Sequence, residues 1–176
     1  MTMQRIFAVV FFIGLLTGVA LTQGRQTNRT PQRPQAPPAN LPPEALDGYV
    51  PARRYINPPS KASHAPFSDA VQIDNTLYLS GRFGIDPRTG QVPAEVTMEV
   101  RIMLEGIRAT LAEAGMTMDD LVMVQVYLTD LALYDQFNAI YRSYFTRAVP
   151  ARAVVGTGKL LRGAHFEIQG IAVRTQ

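Results

Sequence analysis

Cysteine is absent from the 176-residue chain, and histidine occurs only twice, at His64 and His165. Without cysteine the chain forms no disulfide, offers no thiolate for catalysis and has no thiol for lipid attachment. Neither histidine has a second ligand at helical or CxxC-like spacing, so the sequence shows no metal site. A folded domain in this chain must therefore be held together by its hydrophobic core.

Most of the chain also lacks a surplus of basic residues. The formal net charge of the whole chain is +3. From residue 67 onward, however, ten Lys and Arg residues against twelve Asp and Glu residues leave a net charge of −2. The basic surplus belongs to the first 66 residues. A domain with a net charge of −2 binds a phosphate backbone poorly, so we expect no nucleic-acid partner.

The chain contains one long apolar run, at residues 6–20. It follows the single basic residue Arg5 and ends in small residues before the polar stretch TQGRQTNR. The run is shorter than the roughly 20 residues that span a membrane, and this layout is typical of a secretory signal. We expect residues 1–22 to be a signal peptide, with an uncleaved N-terminal anchor as the alternative. In either case the folded part is exported, to the periplasm or the medium, and touches the membrane only through an uncleaved leader.

A proline-rich stretch follows the leader. Ten of the thirteen prolines lie between residues 23 and 66, where hydrophobic periodicity is weak. Proline removes backbone donors, and little apolar area is present to offset the entropy of ordering. We expect residues 23–54 to be a disordered linker, acting as a tether rather than as a binding segment, and residues 55–176 to form the folded domain.

Turn signals and hydrophobic spacing divide the domain into seven elements. Two helices are indicated by apolar residues at three- and four-residue spacing, and the strands by short runs rich in Val, Ile, Leu and Tyr. In chain order we predict a hairpin over 70–81 that turns at Asp74-Asn75, a helix over 94–114 capped by Gly115, a strand over 121–128, a helix over 131–145 that starts at Thr129 or Asp130, and strands over 153–157 and 165–173.

The predicted order is therefore β-β-α-β-α-β-β, which favours an α+β fold with a mixed β-sheet and two helices on one face. Such a layer leaves the other sheet face without cover. Because the strands carry apolar residues on both faces, we expect a second subunit to cover that face in a symmetric oligomer.

Two charged residues occupy the otherwise apolar or glycine-rich C-terminal segment 149–170. Arg152 and Glu167 are costly to desolvate unless each meets a partner. They form either a structural ion pair between strands or a site, in which the guanidinium binds a carboxylate and the glutamate positions or deprotonates water. The residues alone leave both interpretations open.

The same segment, PARAVVGTGKLLRGAHFEIQGIAV, resembles the C-terminal signature of the reactive intermediate deaminase (Rid, or YjgF) family. In that signature a P-A-R motif precedes an acidic residue in an E-I-x-x-I-A-V strand. The stretch A-P-F-S-D-A-V resembles the family's G-P-Y-x-x-A segment, and L-Y-L-S-G-R resembles its S-G-Q strand. D-P-R-T-G resembles its turn, and F-N-A-I-Y-R-S-Y-F its second helix.

The resemblance implies a chorismate-mutase-like α+β fold and a homotrimer with clefts at the subunit interfaces. It implies hydrolysis of enamines and imines such as 2-aminoacrylate to 2-oxo acids and ammonia, as in a 2-iminobutanoate/2-iminopropanoate deaminase, without a metal or organic cofactor. Arg152 corresponds to the arginine that binds the substrate carboxylate, and Glu167 to the glutamate that orients water. Ser80 and Gly81 correspond to residues that contribute to the cleft.

Two substrate-binding positions depart from the family pattern. Phe67 stands where the family has a tyrosine, and Val154 where it often has a cysteine. The change at Phe67 predicts a more apolar pocket. The alternatives to a deaminase are a non-catalytic oligomer that binds small carboxylates, a chaperone-like oligomer of the same fold, and an endoribonuclease, which the net charge of −2 disfavours.

Overall fold

The computed structural model describes residues 48–58 and 66–175. All of them belong to one compact unit. The predicted leader, most of the predicted linker and His64 lie outside the described residues. Within the described ranges, no helix combines the length and the apolar character that a membrane span requires.

Six strands form one mixed sheet in the spatial order β1-β2-β3-β6-β4-β5. They are β1 (Arg53–Ile56), β2 (Ala70–Ile73), β3 (Thr76–Phe83), β4 (Leu121–Leu128), β5 (Ala151–Gly156) and β6 (Phe166–Val173). Neighbouring strands are antiparallel except for β4 and β5, which are parallel. A parallel pair needs a crossover connection, and this one contains the helix α2 (Tyr134–Arg142).

The helix α1 (Val96–Glu113) follows β3 and packs against α2, β3 and β6, so both helices cover the same face of the sheet. This agrees with the predicted α+β class. The buried stripe of α1 has the expected spacing and consists of Val100, Met103, Leu104, Ile107 and Leu111. Buried residues of β4 and β6 complete the core beneath the helices; they are Leu121, Val124, Val126, Leu128, Phe166, Ile168 and Ala172.

α1 ends as its sequence predicts. Gly115 adopts a φ of 68°, a left-handed conformation that glycine enters without a Cβ penalty. Its N–H donates to the Ala112 carbonyl at 2.8 Å, and the Met116 N–H donates to the Leu111 carbonyl at 2.9 Å. These two bonds are those of a Schellman motif. Gly115 is therefore confirmed as the cap.

Two arginines from opposite ends of the domain bind the last carbonyls of α1. Arg54 of β1 donates to the Glu113 carbonyl at 2.8 Å, and Arg174, just after β6, donates to the Ala114 carbonyl. The last turn of α1 contains no basic residue of its own. Cations at a helix C-terminus stabilise its unpaired carbonyls and oppose the helix dipole. Here, distant parts of the chain supply those cations.

The structure corrects the predicted order at its start. β1 precedes the hairpin, so the order is β-β-β-α-β-α-β-β. The expected boundary between linker and domain, at residues 54 and 55, falls inside this strand. Three of its four residues are exposed and only Ile56 reaches the core. Its stability comes from backbone pairing with β2, which hydrophobic alternation does not reveal.

The second predicted helix is shorter than expected. A 3-10 turn occupies Leu131–Leu133, and α2 begins only at Tyr134. The Ala132 N–H donates to Asp130 Oδ1 at 2.8 Å, so Asp130 caps this 3-10 turn, while Leu133 precedes α2 without a side-chain cap. The other strands differ from their predicted bounds by one or two residues at their ends, and β4 has the predicted bounds.

Candidate active site

Arg152 lies on β5, on the face of the sheet that the helices cover. It pairs with the buried Val124 of β4, and its guanidinium carbon is 4.8 Å from the centre of the Tyr141 ring. The rings of Tyr134 and Phe137 lie at 5.8 Å. Aromatic faces attract a guanidinium without neutralising it. In the described part of the chain no carboxylate forms an ion pair with Arg152.

The cavity around this arginine, called here the Arg152 cavity, has a volume of about 290 Å³ and is lined in part by Tyr134, Asn138, Tyr141 and Arg152. Two of its polar atoms, Asn138 Oδ1 and the Tyr141 hydroxyl, are buried without a hydrogen-bond partner. Burial raises the pKa of Tyr141 to about 12, despite the opposing effect of Arg152. Unpaired buried polar atoms are rare and call for an explanation. Beside an unneutralised guanidinium, the Tyr141 hydroxyl can donate to an anion, and Asn138 Oδ1 can accept from a donor group of the same ligand.

Tyr134 is the one side chain that hydrogen-bonds to Arg152 in the described residues. The Arg152 Nη2 donates to the Tyr134 hydroxyl at 3.4 Å, a long contact. The phenol proton stays available because the oxygen acts here as the acceptor. A carboxylate that meets the guanidinium in this cavity can therefore also accept a hydrogen bond from Tyr134.

Glu167 lies on β6, on the open face of the sheet, which is the face opposite the helices. Its carboxylate packs directly on Gly81 of β3, where a Cβ would lie 2.0 Å from Glu167 Oε1. Any other residue at position 81 would displace the carboxylate. The register between β3 and β6 shifts by one residue between Leu79 and Arg82. This bulge contains Ser80 and Gly81, and bulges commonly redirect side chains next to a site.

The Glu167 cavity, as it is called here, has a volume of about 490 Å³ and is lined by residues that include Phe67, Ser80, Gly81, Lys159 and Glu167. Partial burial raises the pKa of the Glu167 carboxyl above its ordinary value. Among the described residues, no cation forms an ion pair with it. A carboxylate with a raised pKa in a cavity is suited to general acid or base chemistry.

Arg152 and Glu167 therefore do not pair within the chain. On β4, Val124 is the neighbour of Arg152 and Tyr127 is the neighbour of Glu167. Side chains alternate between faces along a strand, so two positions that are three residues apart face opposite sides. The helix-facing arginine and the open-face glutamate are separated by the sheet. The interpretation as an ion pair between strands of one chain is wrong.

The other predicted site residues fall in two places. Phe67, Ser80 and Gly81 line the Glu167 cavity, and the Ser80 hydroxyl donates to the Ser68 carbonyl at 2.6 Å. Val154 lies on the helix-facing side of β5 and packs against the hydrophobic core. Its predicted role in substrate binding stays a prediction. Among the described residues, no group of three His, Cys, Asp or Glu side chains is placed to hold a metal ion.

Sequence reasoning missed three residues of the Arg152 cavity, which are Tyr134, Asn138 and Tyr141. All three lie on α2, and none of them is a predicted site residue. The available signal was their spacing of four and three residues, which places their polar atoms on one side of the helix. That signal points to a site only once β5 is known to bring Arg152 beside this side of α2.

Comparison with known proteins identifies relatives across the described domain. The family model described as endoribonuclease L-PSP matches residues 58–174. The 2-iminobutanoate/2-iminopropanoate deaminase of Mus musculus is 40% identical over 114 residues, which cover 64% of this chain and 84% of the relative. A RutC family protein of Sulfurisphaera tokodaii is 36% identical over 104 residues, covering 58% of this chain and 83% of the relative.

Solved structures share the fold. The E. coli YjgF gene product is 33% identical with a TM-score of 0.61, over 65% of this chain and 92% of that chain. RidA from an Antarctic Psychrobacter is 32% identical with a TM-score of 0.61, over 64% and 92% of the two chains. E. coli TdcF with bound serine is 29% identical with a TM-score of 0.61, over 64% and 91%. The predicted fold class and the resemblance to the Rid family are both confirmed.

Proposed function

The chain belongs to the endoribonuclease L-PSP family, and we propose that it hydrolyses 2-imino acids, and the enamines that give rise to them, to 2-oxo acids and ammonia. Arg152 binds the substrate carboxylate, and Glu167 positions and deprotonates the attacking water. One observation carries this proposal: two opposite charges lie in separate cavities, and neither has an ion-pair partner among the described residues. The deaminase names of close relatives support it.

The complete site needs two copies of the chain. Within one copy the sheet separates Arg152 from Glu167, so a substrate of a few atoms cannot contact both. We propose a homotrimer in which the Arg152 cavity of one copy meets the Glu167 cavity of the next. Exposed apolar residues on the open face, Tyr78, Met123 and Val155, support burial of that face against another copy.

The reaction requires no more than these side chains and water. The planar fork of Arg152 holds the carboxylate of the imino acid, and Asn138 Oδ1 accepts the imine N–H. Water attaches through its oxygen to the imine carbon while Glu167 takes one proton from it and passes that proton to the nitrogen. The resulting carbinolamine loses its hydroxyl proton by the same route as the carbon–nitrogen bond breaks. The products are one 2-oxo acid and one ammonia for each imine and water consumed.

The charge of the domain supports a small carboxylate over RNA as the substrate. The net charge from residue 67 onward is −2, whereas binding of a phosphate backbone relies on several Lys and Arg contacts. In the proposed site two arginines, Arg142 and Arg152, line a cavity of about 290 Å³, which suits a small anion.

Complementation between two inactive variants tests the proposal. The full-length Arg152→Ala and Glu167→Ala variants, each with its own affinity tag, are co-expressed, and mixed oligomers are purified through both tags. The assay measures ammonia release from 2-imino acids that an amino-acid oxidase generates in place. Each variant alone should be inactive. Mixed trimers should have about a third of the wild-type rate, because each restored site needs an intact arginine from one copy and an intact glutamate from the next, and a mixed trimer has this arrangement at one of its three interfaces.

The possible outcomes separate the parts of the proposal. Mixed oligomers without any recovered activity would contradict a site shared between copies. A wild-type protein that binds 2-oxobutanoate but releases no ammonia would contradict the hydrolase and leave a carboxylate-binding protein. RNA cleavage by the wild-type protein that Glu167→Ala abolishes would favour the endoribonuclease instead.

A further inference from the structure

Glu99 is a buried carboxylate on the side of the sheet that the helices cover, and the proposed reaction does not use it. It lies in the first turn of α1 with no exposed surface. Its Oε1 accepts the backbone N–H of His165 at 2.7 Å and that of Phe166 at 3.2 Å, while its Oε2 lies 2.7 Å from His165 Nδ1. A carboxylate can only accept, so the imidazole donates this third bond. Three donors make burial of the carboxylate tolerable.

The residues that Glu99 binds come immediately before Glu167. The pairing between β3 and β6 ends at Phe83 and Glu167. Beyond this pair, the N–H groups of residues 165 and 166 donate to Glu99 rather than to another strand. On the other side, the Thr129 N–H donates to the His165 carbonyl at 3.0 Å. Glu99 thus occupies the place of a strand partner at the start of β6.

The end of β3 is built to let this carboxylate approach. A Cβ on Gly84 would lie 2.0 Å from the backbone carbonyl of Glu99 and 2.6 Å from its Cγ. Glycine at position 84 therefore allows the first turn of α1 to pack against the chain that leaves β3. The two glycines, Gly81 and Gly84, bring Glu167 and Glu99 into contact with the same short segment of backbone.

We propose that Glu99 is a positioning residue for Glu167: by holding the start of β6 it sets where the Glu167 carboxylate lies over Gly81. The assignment rests on the proposed function, in which Glu167 acts on water. It predicts separable kinetic effects, because the substrate carboxylate is bound in the other cavity, by Arg152. Loss of the Glu99 contacts changes the chemical step and leaves carboxylate binding in place.

Kinetics of three Glu99 variants of the full-length oligomer test the assignment. Glu99→Ala removes all three contacts and should lower kcat roughly 10- to 100-fold with little change in KM, since small misplacements of a catalytic group have effects of this size. Glu99→Asp, one methylene shorter, should fall between it and the wild type. Glu99→Gln should restore most of the rate, because its oxygen can accept both backbone N–H groups and its amide can donate to a His165 ring that carries its proton on Nε2.

Leu111→Ala is the matched control. Leu111 is fully buried on the same helix, about three turns along it from Glu99. Its truncation should lower the melting temperature while kcat per folded molecule stays at the wild-type value. An equal loss of kcat in Leu111→Ala and Glu99→Ala would overturn the assignment, because both would then report general destabilisation.

A second measurement does not depend on turnover. NMR titration of the Glu167 carboxyl carbon reports its surroundings in the wild type and in Glu99→Ala or Glu99→Asp. If Glu99 positions Glu167, a released β6 lets water reach the carboxylate, and the raised pKa of Glu167 should fall towards its ordinary value. An unchanged pKa of Glu167 in both variants would overturn the assignment. A shifted pKa in a protein that hydrolyses no imine would uphold it and contradict the proposed reaction.

Discussion

The two cavities hold opposite charges by different means. The Arg152 guanidinium rests on aromatic rings of a helix. The Glu167 carboxylate rests on bare backbone, at a glycine in a strand bulge. Aromatic side chains contact the Arg152 guanidinium, whereas the Glu167 carboxylate fits where it does because Gly81 has no side chain. Because the sheet lies between them, the two charges cannot neutralise each other within a chain, and each remains available to a ligand.

The difference also decides what each group can do. Aromatic faces leave the guanidinium charged and fix its plane, which suits it to bind a carboxylate in one orientation. Desolvation raises the pKa of Glu167 and brings its two protonation states closer in free energy. The Arg152 cavity is therefore suited to binding and the Glu167 cavity to proton transfer. Substitutions that affect only one cavity test this division.

The largest effect is expected for Glu167→Gln. The amide keeps the shape of the side chain over Gly81 but cannot take a proton from water. Turnover should fall by about 10²- to 10⁴-fold, the range for loss of a general acid or base. Affinity for 2-oxobutanoate should be largely retained because it depends on Arg152. Single-turnover rates and calorimetric titration check both expectations. A variant that loses affinity and rate together would erase the distinction between the cavities.

The change in stability caused by Glu167→Gln also has an expected direction. A carboxyl group with a raised pKa in the folded state stabilises the fold at low pH, and this contribution is lost as the pH rises through the folded pKa. At neutral pH the charged Glu167 is therefore unfavourable for folding. Glu167→Gln should melt at the same temperature as the wild type or above it. A lower melting temperature would show that a cation stabilises the carboxylate, and across the proposed interface that cation would be Arg152 of the next copy.

The next effect is expected for Arg152→Lys. Lysine keeps the charge but has no planar fork and stacks less well on the surrounding rings. The affinity for 2-oxobutanoate should fall about 10- to 100-fold, as for the loss of one hydrogen bond to a charged group. The rate at saturating substrate should change less than the affinity, and the melting temperature should be retained. Unchanged affinity would remove Arg152 from carboxylate binding.

The smallest effect is expected for Phe67→Tyr. Phe67 lines the Glu167 cavity, and a hydroxyl there can bind water or a polar substituent. The ratio of turnover on the smallest imino acid to turnover on one with a large apolar side chain should rise about 2- to 10-fold, the effect of a single hydrogen bond. Competition assays with paired substrates measure this ratio directly. An unchanged ratio would mean that Phe67 does not discriminate between substrates.

Local patterns in the sequence predict most of the secondary structure. The stripe of α1, its cap at Gly115, the bounds of β4 and the cap at Asp130 all follow from spacing and turn chemistry. β1 does not, because its stability comes from pairing with a strand that is distant in sequence. The bulge at Ser80 and Gly81 is hidden for the same reason, since it exists only relative to β6.

The candidate site likewise combines features that the local sequence predicts with features that depend on long-range packing. Arg152 and Glu167 stand out as charges in an apolar segment, and the resemblance to the Rid family assigns their roles. Their placement on opposite faces depends on β4 lying between β5 and β6, which no local pattern encodes. The polar side of α2 and the Glu99 contacts depend equally on long-range packing. Sequence indicates which residues carry the chemistry, while strand order determines which of them can meet.

The position of β1 also has a mechanical consequence. β1 forms one edge of the sheet and β5 the other, with four strands between them. Any tension on the N-terminal part of the chain, as from an anchored leader, enters the domain at β1. The hydrogen bond from Tyr49 to Asp74, the four residues of pairing between β1 and β2, and the contact from Arg54 to α1 would bear this tension first. The strand that carries Arg152 lies at the opposite edge, so tension at β1 reaches it only through the four strands between them.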